Sequence, residues 1–168
     1  MLRNILLILP AENFNETEFL VTKKKFEDHA FKIFIASDAN ALCKGKNGLK
    51  VKADVKLYNV HASNFDAVVL IGGSGIKNYR NNETVHKIFI DFLNKGKIAS
   101  AICSAPLVLA HAGLLSGKEA TCYADDKDEL VSEGAVYMDK PVVKTGKIIT
   151  GQNSAASADF AKLVIDSI

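Results

Sequence analysis

Short apolar runs alternate with amphipathic segments along most of the chain. The runs that predict strands are residues 4–9, 32–36, 67–71, 98–102 and 147–150, and the segments that predict helices are 16–29, 83–95, 105–112, 127–132 and 155–168. Segments 48–60 and 136–144 interrupt this alternation and predict hairpins or edge strands. The pattern as a whole predicts an α/β fold, with a mainly parallel sheet covered by helices on both faces.

Three turns of this predicted sheet carry the residues suited to chemistry. In open parallel sheets, ligands bind at the carboxyl ends of the strands, where turns lead into helices. The turns at that edge are residues 10–18, 72–75 and 103–106. A functional site is therefore expected where these three segments meet.

Cys103 lies where a predicted buried strand meets a predicted helix. Pro106 is tolerated in the first helical turn, since its missing N–H would be unpaired there. Ala101 and Ala105 leave room for a sharp turn, so the pattern Ala-x-Cys-x-Ala has the steric logic of a nucleophile elbow. Unpaired N–H groups at the helix start predict a thiolate with a lowered pKa. The alternative is a buried cysteine that packs as a small apolar residue.

The other two turns supply candidate partners for Cys103. Glycines in 72–75 would let the backbone approach a ligand, and the N–H groups of Gly73 and Ser104 are candidate oxyanion donors. The glycine spacing does not match a dinucleotide-binding fingerprint. Glu18 follows Asn15 by three residues, which favours a capping box. In the alternative, the Glu18 carboxyl faces the cysteine and moves a proton.

The composition indicates one soluble globular domain, residues 1–168. Apolar residues make up 48% and charged residues 24%, and the formal net charge is +2 with both signs interspersed. Neither nucleic acid nor a membrane surface is therefore an expected partner. The first apolar run is too short for a signal peptide or a membrane span, so the cytoplasm is the expected location.

The cysteines and histidines show no spacing typical of a metal site. Cys43, Cys103 and Cys122 form no Cys-x-x-Cys pair, and the four histidines are scattered. We expect free thiols, no metal and no cofactor, with Cys43 in a loop. His111 lies too far along the helix after Cys103 to act as its base.

Five segments of the chain resemble the ThiJ/PfpI superfamily, nearly end to end. They are "NILLILPAENFNETEF", "FDAVVLIGGSG", "KIASAICSAPLVLAHAGLLSGKEATCY", "KDELVSEGA" and "KIITGQNSAASADFAKLVID". The resemblance implies a flavodoxin-like three-layer sandwich that forms a homodimer or a higher homo-oligomer. It also implies a catalytic cysteine matching Cys103, a glutamate matching Glu18, and oxyanion donors matching Gly73 and Ser104.

Departures from the family pattern bear on the type of activity. The peptidase-like members carry a histidine directly after the cysteine, where this chain has Ser104, so a peptidase is disfavoured. The family's usual Arg-Gly-Pro motif appears here as residues 152–154, so the rim of the pocket differs. Tyr123, Gln152 and Asn153 are candidates for that rim.

Three functions are consistent with these residues. The leading hypothesis, implied by the resemblance, is a glyoxalase III or deglycase type of cysteine enzyme that acts on small aldehydes or glycated compounds through Cys103 and Glu18. The second is an oxidation-sensing stress protein or chaperone in which Cys103 becomes a sulfinate. The third is a PfpI-type cysteine peptidase.

Overall fold

The computed structural model describes residues 3–39 and 42–168. Its strands are β1 (Asn4–Ile8), β2 (Glu12–Phe14), β3 (Lys32–Ser37), β4 (Leu42–Gly45), β5 (Lys50–Lys52), β6 (Val55–Lys56), β7 (Ala67–Leu70), β8 (Ile98–Ile102), β9 (Glu119–Ala120), β10 (Val136–Tyr137), β11 (Val142–Thr145) and β12 (Ile148–Gly151). Its helices are α1 (Glu16–Asp28), α2 (Glu83–Asn94), α3 (Pro106–His111), α4 (Lys127–Ser132) and α5 (Ser157–Ser167).

Seven strands form the central sheet, in the order β11-β12-β8-β7-β1-β3-β6. Every neighbouring pair is parallel except β11 and β12, which are antiparallel. Two smaller sheets lie outside it, one of β9 and β10 and one of β2, β4 and β5. The predicted flavodoxin-like α/β fold with a mainly parallel sheet is confirmed.

An apolar layer covers each face of the central sheet. Along β1, Leu6 and Ile8 pack with α2, α3 and α4, whereas Ile5 and Leu7 pack with α1 and α5. Successive side chains of a strand point to opposite faces, so a strand that is buried on both faces is apolar throughout. This burial explains why β1, β7 and β8 are uninterrupted apolar runs.

The long elements end within one or two residues of the predicted positions. The strand at 98–102 and the helix at 127–132 match their predicted bounds. Segment 48–60 contains β5, which pairs with β4, and β6, at one edge of the central sheet. Segment 136–144 contains β10 and leads into β11, at the opposite edge. Both segments therefore do form hairpin or edge strands.

The prediction of Cys43 as a loop residue is wrong. Cys43 lies in β4 and is fully buried. Its side chain belongs to the apolar layer that packs under α1 and α5. Burial on the inner face of β4 accounts for a cysteine between exposed neighbours.

The centre of the sheet brings the three predicted turns together. Strands β1, β7 and β8 are adjacent, and because they are parallel their carboxyl ends lie at one edge. The chain leaves that edge at Leu9, Ile71 and Cys103. The site is therefore formed by segments that are far apart in sequence.

Candidate active site

Cys103 directly follows β8 and has a strained backbone, with a φ of 63°. This left-handed conformation is unfavourable for a residue that has a side chain. Two backbone hydrogen bonds hold it: Cys103 N–H donates to Gly151 O (3.0 Å), and Tyr123 N–H donates to Cys103 O (2.8 Å). Helix α3 then begins at Pro106. The geometry is that of the nucleophile elbow predicted from the sequence.

The carboxyl group of Glu18 lies against the sulfur of Cys103. Glu18 is fully buried near the start of α1, and its carboxyl lies close enough to the Cys103 side chain for each group to shift the pKa of the other. Its Oε2 accepts the N–H of Gly72 (2.9 Å), and its Oε1 accepts the Ser154 hydroxyl (3.2 Å). These contacts fix the carboxyl group between the turns that follow β7 and β12.

The capping-box interpretation of Glu18 is only half right. Asn15 does cap α1, because its Oδ1 accepts the N–H of Glu18 (3.1 Å). In a capping box the Glu18 carboxyl would accept the backbone N–H of Asn15. That N–H instead donates to Gly72 O (2.8 Å). The alternative interpretation, in which Glu18 faces the cysteine, matches the structure.

Burial governs the ionisation of both side chains. It raises the pKa of Glu18 to about 6, against the opposing effect of hydrogen bonds from Cys103, Gly72 and Ser154. Burial also raises the pKa of the Cys103 thiol, and the neighbouring Glu18 charge raises it further. A hydrogen bond from Ser104 N–H lowers it by less. The prediction of a lowered Cys103 pKa is therefore wrong, because desolvation outweighs the donors at the start of the six-residue helix α3.

Glu18 and Cys103 together hold one proton above about pH 6. Removing the second proton would place two negative charges in contact, which the buried setting strongly disfavours. The single proton can lie on sulfur or on oxygen, because the two groups are neighbours. The pair can therefore release a nucleophilic sulfur to an electrophile while Glu18 takes the proton.

The glycine turn after β7 packs closely around the pair. A Cβ atom at Gly72 would lie 2.7 Å from Glu18 Oε2 and 2.8 Å from Cys103 Cβ. Gly73 has a φ of 121°, and a Cβ there would lie 2.3 Å from Asn13 O. Within the described chain, no backbone acceptor takes the N–H of Gly73. That N–H remains a candidate donor to an oxyanion.

The sulfur of Cys103 opens into a cavity of about 530 Å³. Among the predicted site residues, Gly73, Cys103, Ser104, Tyr123 and Asn153 line it. Cys103 is 8% exposed, whereas the other two cysteines are fully buried. The elbow, the glycine turn and the loop after β12 thus surround one space.

Gln152 does not line this cavity, and its prediction as a rim residue is wrong. Its Nε2 donates to Asp139 Oδ1 (2.7 Å) and to Tyr137 Oη (3.2 Å). Asn153 is adjacent in sequence, but its side chain caps the turn at 154–156. Gln152 therefore contacts residues 137 and 139, whereas Asn153 lies at the cavity.

Five residues of the cavity lining were not among the predicted site residues: Asn15, Lys46, Ser74, Ser154 and Ala155. The Asn15 Nδ2 donates to Ser154 Oγ (2.8 Å), which in turn donates to Glu18. Asn15 carried a capping signal, which gave no indication of its second contact. Ser154 belongs to the motif at residues 152–154 that indicated the rim, but its contact with Glu18 was not predicted. Lys46 carried no local signal, because its place at the cavity depends on segments distant in sequence.

The remaining thiols and the histidines lie elsewhere. Cys43 and Cys122 are free and fully buried, and Cys122 packs on the opposite face of the sheet from Cys103. No histidine lines the cavity. His111 instead contacts Glu129, at 2.8 Å. Glu18 is consequently the ionisable partner of Cys103.

Two further features of residues 3–39 and 42–168 bear on ligands. They contain no group of three His, Cys, Asp or Glu side chains arranged to hold a metal ion. None of their helices combines the length and the apolar character that a bilayer-spanning helix needs.

Sequence comparison identifies a family and named relatives. The DJ-1/PfpI family matches residues 3–167. The deglycase PfpI of Pyrococcus furiosus is 29% identical, over 95% of this chain and 98% of that protein. The glutathione-independent glyoxalase DJR-1.2 of Caenorhabditis elegans is 25% identical, over 99% of this chain and 89% of that protein.

Structure comparison gives a similar result. A ThiJ/PfpI domain protein from Brachyspira murdochii superposes with a TM-score of 0.96 at 30% sequence identity. The match covers 99% of this chain and 96% of the other. Agreement over the whole length of both chains means that the fold described above is shared with this solved structure.

Proposed function

The chain belongs to the DJ-1/PfpI family, and we propose that it is a cofactor-independent cysteine enzyme that acts on reactive carbonyl compounds. The observation that carries this proposal is the close pair of Cys103 and Glu18, in which Cys103 lines a cavity and Glu18 is buried next to it. Relatives named as a deglycase and a glutathione-independent glyoxalase support the substrate class. Methylglyoxal is the simplest compound on which the chemistry can be tested.

The first step joins the sulfur to the aldehyde carbon. The Cys103 sulfur adds to the carbonyl carbon, and its proton passes through Glu18 to the carbonyl oxygen, giving a hemithioacetal. The N–H groups of Gly73 and Ser104 stabilise the negative charge that develops on this oxygen. The shared proton of the resting pair is thus used without an external acid.

The second step moves a proton between two carbons. Glu18, again ionised, removes the hydrogen from the carbon bonded to sulfur and delivers it to the neighbouring carbonyl carbon through an enediol. The product is a thioester, and water hydrolyses it to lactate and the free thiol. The overall change is methylglyoxal plus water to lactate plus a proton, so no oxidant or cofactor is consumed.

Asn15 and Ser154 act as positioning residues in this scheme. Their hydrogen bonds orient the Glu18 carboxyl towards the sulfur. A base must stay within hydrogen-bond reach of both carbons during the transfer. A rigid attachment to the N-terminal turn of α1 meets that requirement.

The proposal predicts lactate formation from methylglyoxal in the absence of glutathione. Cys103→Ala removes the nucleophile, and Glu18→Gln removes the base, so each should lower the rate of lactate formation by roughly 100-fold or more. Lactate is measured enzymatically at several methylglyoxal concentrations.

Cys122→Ala is the matched control, because it removes a buried thiol on the opposite face of the sheet. Its turnover should stay close to that of the wild type. Equal turnover by Cys103→Ala, or no turnover by the wild-type protein, would contradict the proposed function.

A second candidate function, oxidation sensing, is favoured by the difference in access among the thiols. Cys103 lines the cavity, whereas Cys43 and Cys122 are fully buried. Peroxide should therefore add two oxygen atoms to Cys103 first, giving a sulfinate that accepts hydrogen bonds from the turn. Mass spectrometry after graded peroxide treatment checks this order, and earlier oxidation of Cys43 or Cys122 rules it out.

The peptidase hypothesis has less support from the site. Ser104 follows Cys103 where the peptidase-like members carry a histidine, and among residues 3–39 and 42–168 no histidine lines the cavity. Glu18 is an acid held next to the sulfur, which suits proton transfer on a small carbonyl compound.

A further inference from the structure

Lys46 places an unpaired positive charge in the lining of the Cys103 cavity. Its side chain is exposed, and within the described ranges no carboxylate forms an ion pair with it. Apart from the cysteine itself, the other lining residues are uncharged. Glu18 is fully buried and is not part of this lining, so an anionic substituent held away from Cys103 would meet one cation on the cavity wall.

The backbone at Lys46 is held firmly. Its N–H donates to Phe14 O (3.0 Å), and Gly45 N–H donates to Leu49 O (2.7 Å). Oε1 of Glu16 accepts the N–H groups of Asn47 (2.7 Å) and Leu49 (2.9 Å). Because Phe14 and Glu16 flank the helix cap of α1, the same segment that carries Glu18 also fixes the position of Lys46.

The hairpin of β4 and β5 extends the positive charge beyond the cavity. Lys44, Lys50 and Lys52 are exposed on it, and Lys44 and Lys50 are register partners. Two acidic residues lie nearby: Glu12 is opposite Lys44 in β2, and Glu16 is occupied by the hairpin turn. The hairpin lysines outnumber these two carboxylates, which favours the approach of an anion to the mouth of the cavity.

The cavity has room for more than a three-carbon aldehyde. Its volume of about 530 Å³ falls within the range of ordinary small-molecule sites. A carbonyl group at Cys103 leaves space for a substituent that reaches Lys46. A single ammonium group matches the single charge of a carboxylate better than the double charge of a phosphate, which would call for further donors.

We infer that the substrate is a carbonyl compound that also bears a carboxylate, and that Lys46 binds this carboxylate. The part of this inference that concerns the carbonyl group rests on the proposed function, in which Cys103 attacks the carbonyl carbon. Lys46 is then a specificity-determining residue: it selects among carbonyl compounds without taking part in the bond changes.

The first test uses two alkylating agents that differ only in charge. Iodoacetate is anionic and iodoacetamide is neutral, and both modify the Cys103 sulfur, which mass spectrometry quantifies. Lys46→Gln should lower the ratio of the iodoacetate rate to the iodoacetamide rate about threefold at low ionic strength. Lys46→Arg should keep the ratio.

Lys50→Gln is the matched control, because it makes the same charge change on the same hairpin outside the cavity lining. Its ratio should fall less than that of Lys46→Gln, because Lys50 attracts an anion only from a distance whereas Lys46 contacts it in the cavity. A ratio that is unchanged in Lys46→Gln, or that falls equally in Lys50→Gln, overturns the assignment to Lys46. This measurement does not depend on turnover.

The second test compares phenylglyoxal with para-carboxyphenylglyoxal. If the inference holds, Lys46→Gln lowers kcat/KM about threefold for the carboxylated compound and leaves the neutral one unchanged. Equal effects on both compounds overturn the inference while the proposed function stands. If the wild-type protein converts neither compound, the proposed function fails, and the alkylation ratio still decides whether Lys46 binds a carboxylate.

Discussion

At the scale of single residues, Gly72 shows how little free volume surrounds the reactive pair. Its missing side chain leaves room for the Glu18 carboxyl, for Cys103 Cβ and for Ile102 O, the last two at 2.8 Å from a Cβ built there. The carbonyl oxygen belongs to the backbone of β8 and cannot swing aside as a flexible side chain could. The site thus depends on an absent atom as much as on those present.

Gly72→Ala should therefore damage the site more than the fold. We expect a loss of about 1–3 kcal/mol in the free energy of unfolding from overpacking. Lactate formation should fall at least about tenfold, since displacement of a catalytic group by about 1 Å is costly. Urea unfolding and the methylglyoxal assay measure the two effects.

Gly146→Ala is the control for this prediction. Gly146 has a φ of 60° and open space around it, so alanine there strains the backbone without touching the site. It should lose about 1 kcal/mol of stability and keep its turnover. Equal turnover in Gly72→Ala and the wild type would contradict the tight packing described above.

At the scale of secondary-structure elements, the sequence predicted those strands that form long apolar runs. Strand β8 and its neighbours are buried on both faces, so their residues show the signal directly. Strands β2 and β9 have three and two residues and pair through contacts far along the chain. Such short strands carry no periodicity, and Cys43 in β4 was assigned to a loop for the same reason.

The candidate site was predictable only in part, for a similar reason. The elbow at Cys103 and the glycine turn are local patterns, so both could be identified from sequence. Ser154 meets Glu18 across a separation of 136 residues, and only the folded chain brings them together. The direction of the Cys103 pKa shift depends on burial, which no local pattern measures.

At the scale of the whole molecule, Glu18 links stability to pH. Folding raises the pKa of Glu18 from 4.5 to about 6, so the folded state binds this proton more tightly than the unfolded state does. The contribution of Glu18 to stability is full below about pH 4.5 and is lost as the pH rises through about 6. The size of this loss is about 2 kcal/mol.

Glu18→Gln should remove this pH dependence. The variant should therefore gain stability relative to the wild type between about pH 4 and about pH 7, by roughly 2 kcal/mol. Urea unfolding at several pH values measures the difference. Glu83→Gln, which changes an exposed carboxylate in α2, should keep the wild-type slope of unfolding free energy against pH. If Glu18→Gln also kept that slope, the ionisation of Glu18 would not be the cause of the pH dependence.

Self-association belongs to this scale as well and stays a prediction from the family resemblance. Several segments of the chain line the cavity. The inferred chemistry uses residues of this chain alone.

The first turn of α1 limits which insertions and deletions this protein can accept during evolution. Glu16 faces outward to secure one hairpin, and Glu18, two positions later, faces inward to the thiol. Adding or deleting a single residue before them would rotate both carboxylates away from their partners together. Surface loops usually tolerate insertions and deletions. The connection between β1 and α1 should not tolerate them, because its length sets the direction of both carboxylates.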